Sequence, residues 1–244
     1  MPKIEFPDSR EYRRPERGTQ PAYLYPPYKS SITRAPSRPL VVLPHTLSEM
    51  TGPVFGHDTV STGDDDMTFA NGGEAIGARI FVSGRVLDED GKPVTGTLLE
   101  IWQANAGGRY RHRNDQPHSP LDPHFNGCAR VVTDADGHYR FKTVKPGPYP
   151  WGNHENAWRP AHIHFSLLGS AFVSRLVTQM YFPGDPLLPF DPIYNSIPDE
   201  KARVLLISQF DWNTTIPNYA TGFRFDIVLR GRNSTPLEAD GERT

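Results

Sequence analysis

The sequence predicts an all-β protein, a sandwich of short strands, and three observations point there. Proline and glycine are abundant, 25 and 21 of 244 residues, which leaves little room for long helices. Apolar residues recur in short runs, many of them alternating with polar ones at the period of a half-buried strand. Those runs are bounded by Gly, Pro and Asp-Gly pairs rather than by helix caps.

Taken in order, residues 1–78 read as an extended, Pro-rich N-terminal arm. PAYLYPPYKSS and RAPSRPLVVLP suit a chain wrapped over another surface, not a core of its own. The arm carries a basic cluster (Arg10, Arg13, Arg14, Arg17) that reads as solvated. Its acidic run, Asp64, Asp65 and Asp66, lacks the alternating oxygen ligands of a calcium loop and reads as a solvated loop. From Arg79 the pattern changes, and residues 79–244 read as the sandwich domain. RIFVSGRVLDEDGKPV is strand, Asp-Gly turn and next segment. TLLEIWQA is a strand. CARVVTDADGHYRFKTV is strand, second Asp-Gly turn and strand, so the two turns suit consecutive hairpins. AHIHFSLL, RLVTQMYF and FRFDIVLRG supply three more strands. One short helix is expected near 198–208. Pro198 opens it, Asp199 and Glu200 fall in its first turn, and Val204, Leu205 and Ile207 lie roughly along one face. The strand-turn type of GRVLDEDGKPV also occurs in prealbumin-like domains.

Bulk properties narrow the function. Net charge is −2, from 26 basic and 28 acidic residues, so no global field draws nucleic acid or an anionic membrane. No apolar run approaches the ~20 residues that span a bilayer. The single cysteine, Cys128, forbids an internal disulfide and reads as a small buried residue. With no secretory signal visible in MPKIEFPDSREYRR, a cytoplasmic location is expected.

WRPAHIHF, residues 158–165, raises the chemical question. On a strand, His162 and His164 point to one face and Ile163 to the other. Two imidazoles aimed into one space suit a metal, yet an isolated H-x-H pair is more often structural. No acid follows until Asp185, which weakens sites that need a carboxylate just after the pair. A zinc hydrolase would take its third ligand from upstream, where His112 is a candidate. Tyrosine offers another solution. Tyr149 lies between two prolines in PGPYPW, on a rigid turn, and Tyr110 follows a Gly-Gly pair in GGRYRH, on a loop. Two phenolates and two imidazoles would leave Fe(III) with charge +1 and an open position for hydroxide. Each tyrosine alone would be an ordinary packing residue, as would Arg159, Trp102, Trp151 and Trp158.

IWQANAGGRYRHRND, LDPHFNG, YRFKTVKPGPYPW and WRPAHIHFSL together resemble the intradiol ring-cleaving dioxygenases. The resemblance runs from PPYKSSITRAP to FRFDIVLRG. It implies one mononuclear, non-haem Fe(III) per chain, held by Tyr110, Tyr149, His162 and His164, with Tyr149 and His164 axial. It implies that Arg159 lies over the reacting ring, and that Tyr28, Trp151, Gln179 and Ile193 line or support the substrate pocket. The implied reaction opens a catechol with O2 to a cis,cis-muconate. The Pro-rich arm, in place of a helical dimerisation region, favours the branch that acts on protocatechuate. Members of that branch pair with a related α chain that lacks iron. The alternatives are a dioxygenase acting on another catechol and a non-catalytic β-sandwich binding module.

Overall fold

The computed structural model describes residues 16–39, 60–115, 118–168 and 176–238. Arg10, Arg13 and Arg14 of the basic cluster, with His45 and His57, lie outside them.

Two antiparallel dipeptide strands, β1 (Phe69–Ala70) and β2 (Gly73–Glu74), precede the sandwich. Then come β3 (Arg79–Leu87), β4 (Leu98–Trp102), β5 (Cys128–Val132) and β6 (His138–Val144). A second pair of dipeptide strands follows, β7 (Tyr149–Pro150) and β8 (Trp158–Arg159), and then β9 (His162–Leu168) and β10 (Leu176–Tyr181). The chain closes with β11 (Gln209–Ile216), β12 (Ala220–Arg224) and β13 (Ile227–Val228). One sheet runs β10-β9-β4-β5, all antiparallel. The other centres on β3, which pairs antiparallel with β6 and parallel with β12 and β13, while β11 pairs antiparallel with β12.

The expected sandwich is present, but neither Asp-Gly turn joins two paired strands; the first closes only a single antiparallel bridge, Leu87 to Pro93. β5 pairs with β4 and β6 with β3, so the second turn carries the chain from one sheet to the other, as the first does between β3 and β4. Each turn is closed by its leading aspartate. Asp88 Oδ1 accepts from the amides of Asp90 and Lys92, and Asp134 Oδ1 from those of Asp136 and His138. The turn chemistry is local, so the sequence carries it; which sheet each flanking strand joins is decided by the apolar faces it must cover.

Those faces meet in one core. Ile80, Val82 and Val86 of β3, Tyr139 and Phe141 of β6, and Phe223 of β12 pack with Leu99 and Ile101 of β4 and Ile163, Phe165 and Leu167 of β9. Phe165 sits among Tyr139, Phe141 and Phe225, with ring centroids 5.3–6.0 Å apart. Burying such a ring contributes roughly 1.5–3 kcal/mol. Because strand side chains alternate, Leu99, Ile101, Ile163, Phe165, Thr178 and Met180 face this core. Trp102, His162, His164, Gln179 and Tyr181 therefore share the sheet's other face.

Among the described residues there are three short helices, not one: α1 (Ser30–Arg34), α2 (Pro192–Asn195) and α3 (Glu200–Val204), with a 3₁₀ turn at Leu188–Phe190 before α2. In α3, Asp199 is the N-cap, and its carboxylate accepts from the amides of Lys201 and Ala202. The buried face is Ala202 and Leu206, while Val204 and Leu205 are exposed, which corrects the expected face. The helix stops after five residues, so its apolar positions do not follow a long helical stripe. Strand β11 was not among the expected strands, although Phe210, Trp212 and Ile216 fall at even spacing along it; most of it is exposed. Cys128 is exposed too, on an edge strand, rather than buried. The acidic run is tied into the fold: Asp66 forms an ion pair with Lys142 at 2.6 Å and accepts from Thr68. Residues 16–39 lie against the sandwich through Ala22 N–H to Ser196, Lys29 N–H to Asn153 and Asp199 N–H to Gly18 carbonyl oxygens.

Candidate metal centre

His162 and His164 project together from β9, with ring centroids 4.8 Å apart and side chains essentially without solvent. Their outer nitrogens are fixed differently. His162 Nδ1 lies 2.7 Å from the Pro160 carbonyl oxygen, an acceptor only, so this nitrogen carries the proton. His164 Nδ1 lies 3.0 Å from Glu238 Oε2, also an acceptor. Both Nε2 lone pairs are thereby free to face inward. Burial, then the Arg159 cation and His164, hold the His162 imidazole well below its ordinary pKa, so it stays neutral. Trp102, directly across the ladder from His164, stacks on that ring at 4.8 Å and 9°.

The tyrosines arrive from the other side. Tyr110 Oη lies 3.1 Å from His164 Nε2 and 3.5 Å from His162 Nε2. Tyr149 Oη lies 3.3 Å from His162 Nε2, and the two phenol rings meet edge to face at 5.4 Å. Tyr149 stands on β7 rather than on a free turn, its backbone paired with Arg159. The Tyr110 loop is organised by Asn105, whose Oδ1 accepts from the amides of Gly107 and Arg109, both at 2.9 Å. It is also stapled to the Tyr149 segment. Gly108 has φ +79°, and a Cβ there would collide with the Pro148 carbonyl oxygen. A Cβ on Gly147 would collide with the Ala106 carbonyl oxygen, and Gly147 N–H donates to Asn105 O at 3.0 Å. The two glycines let two backbones touch, and the two phenols are carried together.

Arg159 is wholly buried beside this cluster. Its Nη1 lies 3.1 Å from His162 Nε2, and Nη2 donates to Gln179 Oε1 at 2.7 Å and to Asp191 Oδ2 at 2.9 Å. Nε donates to Asp191 Oδ1 at 3.2 Å, which completes a two-pronged ion pair. Burial alone would lower the guanidinium pKa, but the Asp191 charge outweighs it and keeps the cation. Tyr181 Oη lies 2.7 Å from Asp191 Oδ2; burial, then that carboxylate, push its phenol well above the usual value, so it stays protonated. Trp151 lies under the guanidinium at 5.3 Å, and Tyr28 meets Trp151 at 5.2 Å. The sequence-derived residues Tyr28, Tyr110, Tyr149, Trp151, Arg159, His162, His164 and Gln179 thus form one connected cluster. Ile193 is buried on α2, two residues past Asp191, and joins it only through that helix. Asp191, Tyr181, Trp102 and Glu238 were not singled out from sequence. Of these, only Tyr181 carried a local signal: like Gln179, it is a polar group alternating inside the apolar strand β10, on the histidines' face.

The donor set can hold a metal through two phenol oxygens and two imidazole nitrogens. A three-histidine zinc site is not assembled. His112 is exposed, with Nδ1 accepting from the Asn114 amide, and no group of three His, Cys, Asp or Glu among the described residues can hold an ion. Among the described residues, a four-donor set is reached only with the tyrosines. A cleft of about 820 Å³ elsewhere on the sandwich, lined by Arg85, Arg130, Asp134 and Tyr139, contains none of these donors.

The family model described as "Dioxygenase" matches residues 50–231, and that for the "Protocatechuate 3,4-dioxygenase beta subunit N terminal" matches residues 12–46. The chain is 57% identical over 222 residues to the protocatechuate 3,4-dioxygenase beta chain of Burkholderia cepacia, covering 90% of this chain and 94% of the relative. The chain belongs to the intradiol dioxygenase family. It is an oxidoreductase of that family, whose members use non-haem iron. Among solved structures, the dioxygenase domain of a carbohydrate-binding fusion from Streptomyces sp. SirexAA-E is similar, with TM-score 0.51 and 28% identity over 74% of this chain and 94% of that one. Catechol 1,2-dioxygenase from Acinetobacter sp. ADP1 has TM-score 0.51 and 26% identity over 67% of this chain and 55% of that one. Among the described residues, no helix of this intradiol dioxygenase is long and apolar enough to cross a membrane.

Proposed function

We propose that this chain is the iron-bearing partner in an enzyme that opens the ring of protocatechuate (3,4-dihydroxybenzoate) with O2 to 3-carboxy-cis,cis-muconate. The observation that carries this reading is the convergence of Tyr110, Tyr149, His162 and His164 around one point, beside a buried arginine. Those four side chains would hold a single Fe(III). Bound there, it supplies Lewis acidity and a template for the two catechol oxygens.

The rest of the chemistry belongs to side chains. Tyr149 sits on the dipeptide strand β7, whose ladder pairs only with Trp158 and Arg159. Its phenolate oxygen accepts a proton from a catechol hydroxyl as the substrate enters. The Nη1 edge of Arg159, aimed at the cluster, stabilises negative charge that develops on the ring. Asp191 and Gln179 take up the other guanidinium edges and keep it aimed. Trp151 and Tyr28 form an aromatic wall, and Ile193 supports it from α2.

A related α chain completes the assembly, as the name of the Burkholderia relative indicates. The arm 1–78 is the segment we assign to wrapping that partner, with 79–244 as the catalytic sandwich. The single cysteine and the absence of any disulfide support a cytoplasmic location.

The test is a visible absorption spectrum with metal analysis on the co-purified α and β chains, before and after protocatechuate is added without oxygen. A red-brown phenolate-to-iron band that shifts with substrate supports the reading. A colourless, zinc-loaded or metal-free complex overturns it. Deleting residues 1–25 tests the arm: co-purification with the α chain is expected to fall, and unchanged co-purification removes that role.

A further inference from the structure

The two histidines differ in what holds their outer nitrogens, and the difference traces to the far end of the chain. His162 donates to a neutral backbone carbonyl two residues away, at Pro160. His164 donates to a carboxylate, Glu238, 74 residues downstream. The Glu238 side chain is 6% exposed and its partner ring is 0% exposed, so the contact is shielded from water.

Glu238 is not there by accident of a loose tail. Residues 234–238 run beside β10 and are fastened at four points. Thr178 Oγ1 donates to Pro236 O at 2.7 Å, and Glu238 N–H donates to Val177 O at 2.8 Å. On the other side the N-terminal segment grips them. Leu237 N–H donates to Gln20 Oε1 at 2.7 Å, and Gln20 Nε2 donates to Ser234 Oγ at 3.3 Å. Glu16 adds an ion pair to Arg232 at 2.8 Å. Both ends of the described chain thus converge to present one carboxylate to one imidazole.

We infer that Glu238 is the positioning residue that fixes the tautomer of His164 and makes it the stronger of the two imidazole donors. An anionic acceptor on Nδ1–H draws that proton outward and raises electron density at Nε2. A neutral carbonyl does so less, and the Arg159 cation 3.1 Å from His162 Nε2 acts in the opposite sense. His164 is the anchoring imidazole and His162 the weaker one. The inference rests on the reading of the cluster as an iron site.

The experiment uses the complete α–β holoenzyme and compares Glu238→Gln and Glu238→Ala with the unaltered protein. Three quantities are read: iron loss to a chelator, the position of the phenolate-to-iron band, and the thermal midpoint. Glu238→Gln keeps an acceptor but removes its charge. Iron loss is expected to accelerate about 10-fold for Gln and more for Ala, within the 10–100-fold range of such partners. The band is expected to move to longer wavelength in the same order, because a less electron-rich His164 leaves the metal a better acceptor. Unchanged iron loss and an unchanged band in both variants overturn the inference. So does a lower thermal midpoint with an unmoved band, which makes the segment a structural fastening alone. If Ala does not assemble, Gln alone decides by the band. Unaltered protein without iron would instead sink the reading of the site, a result distinct from either.

Discussion

His162 and His164 stand on a seven-residue strand hydrogen-bonded on both sides, to β4 and to β10. Tyr110 and Tyr149 stand on a loop and on a two-residue strand. The histidines need nothing beyond strand geometry to face the same way. The tyrosines need two glycines, an asparagine and a bed of backbone contacts to reach the same point. The contrast separates two jobs: donors fixed by the rigid sheet, and donors held by packing that can be released.

The comparison breaks most completely at the sheet. His162→Ala is expected to abolish iron retention, weakening it more than about 100-fold, because a ligand is removed rather than tuned. Metal analysis of the purified complex checks this, and a fully loaded variant would show that His162 is not a donor.

Next comes the staple between the tyrosine segments. Gly108→Ala puts a methyl group into the Pro148 carbonyl and forces an unfavourable positive φ. A loss of about 1–3 kcal/mol is expected. Both phenols should move together, so the visible band should collapse while the far-ultraviolet circular dichroism of the sandwich survives. An intact band with full activity would mean the loops do not depend on this contact.

Tyr149→Phe sharpens the comparison. The three remaining donors should keep iron, but turnover should fall by about 10²-fold, the lower end of general-base effects. Pre-steady-state mixing with protocatechuate locates the loss in the substrate-binding step. Normal binding kinetics would remove the proton-accepting role.

The smallest effect is expected at the base of the Tyr110 loop. Asp115 Oδ2 accepts from the Tyr110 amide at 2.6 Å and lies 3.7 Å from Arg109 Nε. Asp115→Asn keeps an acceptor and removes a long ion pair, 3.7 Å apart and mostly buried, so about 1 kcal/mol of stability should go, with activity changed only a few-fold. A large loss, measured by thermal melting alongside kcat, would show that the charge itself matters.

The sandwich was legible because its strands carry period-2 patterns, and the histidine pair because its geometry is local. Both Asp-Gly turns were readable, since Asp88 and Asp134 close them with their own side chains. Their role as crossings between sheets was not, because a strand's partner depends on which distant apolar face it covers. β11 was missed although Phe210, Trp212 and Ile216 recur at even spacing along it, and those side chains face solvent rather than the core. The tyrosines were plausible one by one and became a set only through resemblance to other chains.

What this sequence determined by itself is the strand content, the turns, the α3 cap at Asp199 and the shared face of His162 and His164, all governed by contacts within a few residues. What the tertiary structure decided is which distant groups meet. Asp191 sits at the N-cap of α2, yet its carboxylate makes no cap there and is spent on Arg159, 32 residues away. Glu238 reaches back 74 residues to His164. A charge buried without a partner costs several kcal/mol, so such pairs exist only where the whole fold brings them together, and no local pattern announces them.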